Sequence, residues 1–387
     1  ITVDETLTTQ QLVEDILINS TCAEVSNFIQ STGTDFGDDN GIAAFDANGS
    51  DFPYASGIVL TTGNVANAPG PNLTLHSDGG TGWPGDIDLE TVTTATNTNN
   101  ASYIQFDFIP STNEISFDFI FASEEYNQNF ECTFSDAFAF ILTDQVTGVV
   151  QNLAVLPGTT IPIEVTNIHP EVVGQCQAIN EQYFDKYNFE PFNPAALAAI
   201  DFNGQIVSLT AMGPVIAGND YTIKLVIADE TDTLLDSAVF LREGSFSLGN
   251  VDLGVDLTVP TGNARCDGEI YTIVPNVTSP SGTTYEWQYE DPLGSGVFVP
   301  FVPAETGLTL QVSVTGNYKL IVNFGGTCQS EGTVFIEFAA PIIFNPTPAS
   351  LVVCDADNDG FAEFTLHDAD LDITIGDPDL FVTYHPT

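Results

Sequence analysis

Two segments hold carboxylates where carboxylates need a reason. Ile115 to Leu142 (ISFDFIFASEEYNQNFECTFSDAFAFIL) sets Glu124, Glu125, Glu131 and Asp136 between two apolar runs. Tyr221 to Leu241 (YTIKLVIADETDTLLDSAVFL) repeats the form with Asp229, Glu230, Asp232 and Asp236. Neither acidic loop contains Lys or Arg. A buried carboxylate without a partner is costly, and a hard divalent cation would neutralise several at once. If the two segments are neighbours, Glu124, Glu125, Asp136, Asp229, Asp232 and Asp236 are expected to hold one calcium ion. The plainer alternative is that Glu124 and Asp136 accept hydrogen bonds from loop backbone.

A third acidic stretch, CDADNDGF, puts Asp355, Asp357 and Asp359 at alternate positions before Gly360. This is the first half of a calcium loop, with oxygens spaced to wrap an ion and a glycine for the turn. The twelfth position is Leu366, not Glu, so the loop is not an EF-hand. Glu363 or Asp368 would have to complete the shell. A bare turn uses the same residues.

Other chemistries find little support. A glycosidase needs two opposed carboxyls, and the adjacent Glu124 and Glu125 point apart from a strand end. His76, His169, His367 and His385 stand without metal-ligand spacing. Ser123 lacks the glycines of a nucleophile elbow. No enzyme is read here. The six cysteines form no CxxC pair, so zinc is not expected. Few, widely spaced cysteines suit disulfides in an oxidising exterior, and Cys132 pairs best with Cys176.

The elements that must position these residues are short strands. Ile115, Phe117, Phe119 and Phe121 alternate onto one face, as do Phe138, Phe140 and Leu142. Thr8 and Gln11 form a capping box for a helix to Ile18 whose apolar stripe is Leu12, Val13, Ile16 and Leu17. Asn193 and Pro194 predict a second short helix over PAALAAI. Around TDFGDDNGI, with Asp35, Asp38 and Asp39, turn chemistry suffices. HSDGGTGWPGDIDLE, with Asp78, Asp86, Asp88 and Glu90, stays open between turn and site. Tyr183, Phe184, Tyr187, Phe189 and Phe192 either stack on a sugar or plug a sheet edge, and the second reading carries more weight. Many short strands, few helices and Gly/Pro-rich turns predict an all-β chain. The expected domains are a β-sandwich over 1–248, an Ig/PKD-like sandwich over 260–340, and an incomplete third β module over 341–387. In the second, Cys266 and Cys328 bracket Trp287 as in an immunoglobulin domain. Tyr318 lies ten residues before Cys328, so the strict tyrosine corner is not expected.

FIFASEEYN, SDAFAFIL and IKLVIADETDTLLDSAVFL resemble the signature of the choice-of-anchor L domain, over the stretch from ITVDETLTTQQLVEDIL to Phe246. The resemblance implies an exported bacterial surface protein and no catalytic chemistry. The start of the third module resembles repeat modules in large exported proteins of gliding Bacteroidota. That implies type IX secretion, an anchor and sorting domain beyond Thr387, and a partner there for Cys354. Cys22 is left as a buried thiol.

Composition agrees with an exterior life. Asp and Glu number 53 against 5 Lys and Arg, a formal charge of −48. Such a chain repels nucleic acid and anionic membranes and attracts calcium. No run is long enough to insert in a membrane. The expectation is a non-enzymatic, calcium-stabilised surface adhesin or stalk protein, linked to gliding motility or attachment. Its first domain would meet a surface or glycan, and its C-terminal side the secretion and anchoring machinery. The alternatives are a calcium-dependent lectin, with Trp83 or Tyr183 exposed beside the acidic loops, and a subunit of a surface filament.

Overall fold

The computed structural model describes all residues except 19–23, 111–112, 248–250, 278–282, 326–327, 341–342, 379 and 386–387. Cys22 therefore lies outside the described residues.

Two antiparallel sheets face each other in the first domain. One contains β1 (Thr2–Asp4), β3 (Ile42–Asp46), β4 (Ser56–Thr61), β13 (Ser237–Arg242), β6 (Glu114–Ser123), β10 (Gly204–Ile206) and β9 (Phe184–Tyr187), in that order, with β11 (Leu209–Pro214) also paired to β6. The other runs β2 (Glu24–Ser31), β5 (Thr98–Ile109), β12 (Tyr221–Glu230), β7 (Ala137–Asp144), β8 (Val150–Asn152). The alternation in the sequence fills the space between them. Phe117, Phe119 and Phe121 of β6 meet Phe138 and Phe140 of β7, with Ile223, Leu225 and Ile227 of β12 beside them. The rings of Phe117 and Phe140, and of Phe121 and Phe138, lie 4.8 Å apart. The outer face of β6 is covered as well: Ile120 and Ala122 pack with Phe45, Phe52 and Phe240. A strand buried on both faces reads as an unbroken apolar run, which is why FIFA shows no polar break.

The acidic loops do not close hairpins. Strand β6 is in one sheet and β7 in the other; β12 and β13 are likewise divided. Each loop is an arch across the end of the sandwich. Because β13 pairs with β6 and β12 with β7, the two arches lie side by side. Apolar alternation is the same for an arch and a hairpin, so sequence periodicity does not separate them.

The Thr8–Gln11 capping box forms and opens α1 (Thr9–Gln11), which runs on as a π-helix, Leu12–Ile18. Leu12, Val13 and Leu17 are buried in the main core. The expected PAALAAI helix is only a 3-10 turn, Ala195–Leu197, because Pro194 and Ala198 on either side are extended. A helix the sequence reading missed, α2 (Ile87–Val92), is capped by the Asp86 side chain and buries Leu89. The aromatic segment plugs an edge: Phe184, Tyr187, Phe189 and Phe192 pack ring on ring at 4.5–5.7 Å along the edge strand β9.

The second module has β14 (Arg265–Cys266), β15 (Tyr271–Ile273), β16 (Thr284–Glu290), β17 (Phe298–Pro300), β18 (Leu310–Val312), β19 (Gly316–Gly325), β20 (Cys328–Ile336) and β21 (Phe338–Ala339). Its main sheet runs β17-β16-β19-β20. Trp287 is fully buried and donates through Nε1 to Gly307 O at 2.9 Å. Val251, Leu253 and Leu257, which fall between the first two expected domains, belong to this core. Two corrections arise here. Tyr318 donates its hydroxyl to Val314 O at 2.6 Å, which is the tyrosine-corner bond despite the spacing to Cys328. Cys266 is a free, exposed thiol and is not bridged to Cys328. It pairs with Ala339, beyond the far end of β20 from Cys328, and nine residues of strand hold the two about 25–30 Å apart.

Residues 343–387 contain no strand among those described; they form turns, a 3-10 turn (Leu366–Ala369) and α3 (Asp370–Ile373). Val352 is 86% exposed, so the apolar start of this segment finds no core here. Cys354 is a free, exposed thiol. Among the described residues no helix is long and apolar enough to cross a membrane.

Candidate cation site and adjoining cleft

The two arches bring their carboxylates to one end of the first sandwich. Glu124, Glu125, Asp136, Asp229 and Asp236 are all buried there, while Asp232 stays exposed on the rim. Glu125 is joined to Asp136, whose backbone N–H donates to Glu125 Oε2 at 3.0 Å. Asp136 reaches the other sheet by accepting from Ser237 Oγ at 2.6 Å, and accepts from Glu230 N at 3.3 Å. Asp236 accepts from Asp78 N at 2.9 and 3.0 Å. Glu124 accepts from His76 N at 3.0 Å and Asn203 N at 3.2 Å. The packing is close: a Cβ on Gly63 would stand 1.9 Å from Asp236 Oδ2.

Asp229 differs from the rest. It is 1% exposed, and neither carboxylate oxygen has a hydrogen-bond partner. The Thr62 hydroxyl is near enough to draw its pKa down, yet is not in hydrogen-bonding geometry. The β12–β7 register sets Ala228 against Ala137, so Asp229 and Asp136 follow as opposite neighbours on the core-facing side.

The electrostatics follow from burial. Burial pushes Glu124 up to about 8, against its two backbone donors, and Asp201 and Asp236 add to the rise. Glu125 also rises to about 8, chiefly from burial, with Asp232 and Glu230 adding to it. Asp236 rises to about 7 for the same first reason, with Asp78 and Asp39 adding. Burial lifts Asp136 and Asp229 well above the usual carboxylate range; Glu125 and Asp229 reinforce it at Asp136, and Asp236 and Glu125 at Asp229.

No protein cation relieves this. Lys224 is held by Asp86 and Asp88 at 2.5 and 2.7 Å. Lys186 pairs with Asp51, Arg242 with Asp118 and Lys319 with Glu331. Arg265 lies over the Tyr271 ring. These are all five Lys and Arg of the chain.

Beside the acids opens a cleft of about 680 Å³. Its apolar wall includes Leu75, Phe130, Phe134, Leu234 and Leu235, and its polar wall Glu125, Glu230 and Asp232. Phe134 and Leu234 are more than half exposed. A disulfide between Cys132 and Cys176 ties down the arch that carries the two Phe residues, as the sequence predicts.

Of the six residues expected around one ion, the fold buries five at this end and leaves Asp232 on the rim, and no three of them bring ligand oxygens within 4.8 Å of one another. Glu124 and Asp136 follow the plainer alternative: both oxygens of Glu124 serve backbone N–H groups, and those of Asp136 accept from Glu230 N and Ser237 Oγ. The sequence reading missed the His76 loop. His76 Nε2 lies 3.1 Å from Asp201 Oδ2, and its Nδ1 is 4.0 Å from Asp78. Asp78 came from the stretch left open between turn and site; Asp86 and Asp88 of that stretch serve Lys224. Asp35 does turn work, accepting from Thr32 N, whereas Asp38 accepts from Gly80 N, 42 residues on, and so ties two loops together. Trp83 is fully buried, donating to Ala101 O, and Tyr183 is half-buried against the main core, so neither is the exposed sugar platform expected of a lectin.

In the third segment Asp355, Asp357 and Asp359 place one oxygen each within 4.8 Å of the others. Asp355 accepts from Gly360 N and Asp359 from Phe361 N, so the loop also closes on its own backbone.

A family model described as the choice-of-anchor L domain matches residues 2–247. No curated protein matches the chain. Among solved structures, DIP-gamma IG1+IG2 is 9% identical over 62% of this chain and 89% of its own, with a TM-score of 0.18. A beta-1,2-glucanase from Parabacteroides distasonis is 8% identical over 83% of this chain and 37% of its own, with a TM-score of 0.20. Scores this low carry no argument about fold or activity.

Proposed function

The chain belongs to the choice-of-anchor L domain family, a family of surface-associated β-domains, and we propose that it is a non-enzymatic adhesin whose working end is the cleft between the two arches. The observation that carries this reading is the cleft itself. It joins exposed Phe and Leu side chains to a rim of carboxylates, at the loop end of a sandwich whose strands are fully packed. Loops on a rigid scaffold are where binding residues concentrate. The second module, with its own buried Trp287 and tyrosine corner, serves as a spacer.

The absence of chemistry in this reading rests on what the carboxylates do. Glu124 is spent on backbone donors, and Ser123 Oγ accepts from Glu125 N at 2.9 Å. Secretion by a type IX system and a role in gliding or attachment agree with the acidic, exported character and remain part of the proposal.

Beads carrying the full chain, and beads carrying the Phe134→Ala/Leu234→Ala variant, are compared for retention under flow on glass and on polysaccharide-coated surfaces. The variant is expected to lose at least tenfold in retained beads while keeping its melting profile. Equal retention of the two rejects the cleft as the adhesive end. Retention on a polysaccharide alone, abolished by that free sugar, would instead favour the lectin.

A further inference from the structure

We propose that the cleft between the arches recognises an arginine side chain of a partner polypeptide, with an apolar neighbour of that arginine seated on its leucines. The inference rests on the adhesive reading for the place of contact and names the class of partner held there. Two walls meet in the cleft. Glu125, Glu230 and Asp232 line one, and Leu75, Phe134 and Leu234 the other. Leu75, Phe134 and Leu234 are each half or more exposed. An exposed apolar wall beside unneutralised carboxylates fits a ligand that carries an apolar group and a positive charge together. The chain has no such charge to spare, because each of its five Lys and Arg is engaged elsewhere.

Spacing decides the kind of cation. No three of the cleft carboxylates bring oxygens within 4.8 Å of one another, which is too open for a bare divalent ion. Their fields nonetheless overlap, since Asp232 and Glu230 both act on Glu125. A guanidinium spreads its charge and several N–H donors over a plane, and so reaches acceptors that a point charge cannot bridge. Each carboxylate is already oriented through one oxygen: Glu125 by Asp136 N at 3.0 Å, Glu230 by Thr96 N at 3.0 Å and Asp232 by Leu234 N at 2.9 Å. Such fixed acceptors lose little freedom on binding. The flat face of a guanidinium also suits an aromatic ring, and Phe134 stands on the opposite wall, held edge-on to Phe130 with ring centres 5.9 Å apart.

The adjacent apolar wall decides that the cation belongs to a polypeptide. In an extended chain, alternate residues lie on one face, so an arginine and an apolar side chain two positions away can enter side by side. A polyamine has no bulky apolar group, and an amino-sugar polymer no aliphatic side chain. Gln128 and Thr133 add polar groups to the lining for the partner's backbone.

The test titrates the full chain into a dye-labelled Gly-Leu-Arg-Leu-Gly peptide, read by fluorescence anisotropy. Salt is kept at 0.15 M, where the general attraction of an acidic chain reaches only about 8 Å. One peptide is expected to bind per chain. The same peptide with neutral citrulline for arginine is expected to bind at least tenfold more weakly, and with lysine at least threefold more weakly. Glu230→Gln/Asp232→Asn is expected to lose at least tenfold, while its amides keep an acceptor for Thr96 N and Leu234 N. Asp355→Asn/Asp357→Asn removes as much charge elsewhere and is expected to bind as the parent does. Should the cleft double variant not fold, Asp232→Asn alone, at an exposed position, is expected to lose at least threefold. No binding by the parent, equal binding of the citrulline or lysine peptide, or undiminished binding by a folded cleft variant overturns the proposal. So does tighter binding of spermine or a chitosan oligomer than of the arginine peptide. The bead assay separates the two readings. An unbound peptide, with retention still lost in Phe134→Ala/Leu234→Ala, removes the arginine and leaves the adhesive cleft. A peptide bound as expected, with retention unchanged in that variant, supports this site and removes the adhesive reading.

Discussion

At the scale of the residue, the question is what keeps five carboxylates buried at one end of a sandwich. Glu124 and Glu125 sit near 8 and Asp236 near 7, chiefly through burial. In the unfolded chain the same groups titrate near ~4. Between these limits the native state holds more protons than the unfolded one, so stability falls as pH rises. In chelator the first domain is therefore expected to melt higher at about pH 5 than at about pH 8. A scanning-calorimetry series with and without chelator checks the sign, and a metal-free protein that gains stability toward pH 8 contradicts the account. Glu124→Gln has a different expected outcome. It keeps one acceptor for the two N–H groups of His76 and Asn203 and leaves one short, so it should cost about 1–3 kcal/mol in denaturant titration. Much of this was legible: the acids at the strand ends stood out because no Lys or Arg accompanies them. His76, Asp78 and Asp201 did not, because they reach the cluster from loops far away in sequence, and a lone His carries no spacing to read.

At the scale of the element, the arches matter more than the strands. The alternation of Ile115, Phe117, Phe119 and Phe121 against Phe138, Phe140 and Leu142 told which residues face inward, and the core bears that out. It did not tell that the two strands belong to different sheets, since a hairpin and an arch bury the same face. The same limit explains PAALAAI, where local helix signals yield to extended residues on both sides. The arch that carries Phe130 and Phe134 is closed by Cys132–Cys176, with a sequence separation of 44. Chain-entropy arithmetic for a loop of that length gives about 4 kcal/mol. Cys132→Ser/Cys176→Ser is accordingly expected to lose stability of that order in denaturant titration, and to lose bead retention before it loses the sandwich. Cys266 and Tyr318 show the opposite error. Cys266 was read as bracketing Trp287 with Cys328 and Tyr318 by its spacing to Cys328, but β20 runs away from Cys328 before the chain reaches Ala339, the partner of Cys266, while the tyrosine bond needs only the turn before its own strand.

At the scale of the whole molecule, charge sets the terms of contact. A chain at −48 approaches an anionic surface against repulsion. That repulsion reaches about 30 Å at 0.01 M salt and about 8 Å at 0.15 M. Adhesion to an anionic surface is thus expected to rise with ionic strength across that range, the reverse of a basic adhesin, and a retention assay in a salt series reads it. The negative charge was plain from composition; which end does the binding was not, because the cleft exists only once two distant arches meet. Hydroxyl-radical footprinting of the full chain, free and attached to the surface that retains it, tests that claim most directly. The account predicts protection at Phe130, Phe134 and Leu234, with Phe344 and Phe361 of the third segment unchanged. Protection confined to the second or third segment, with the cleft as reactive as in the free protein, would contradict it.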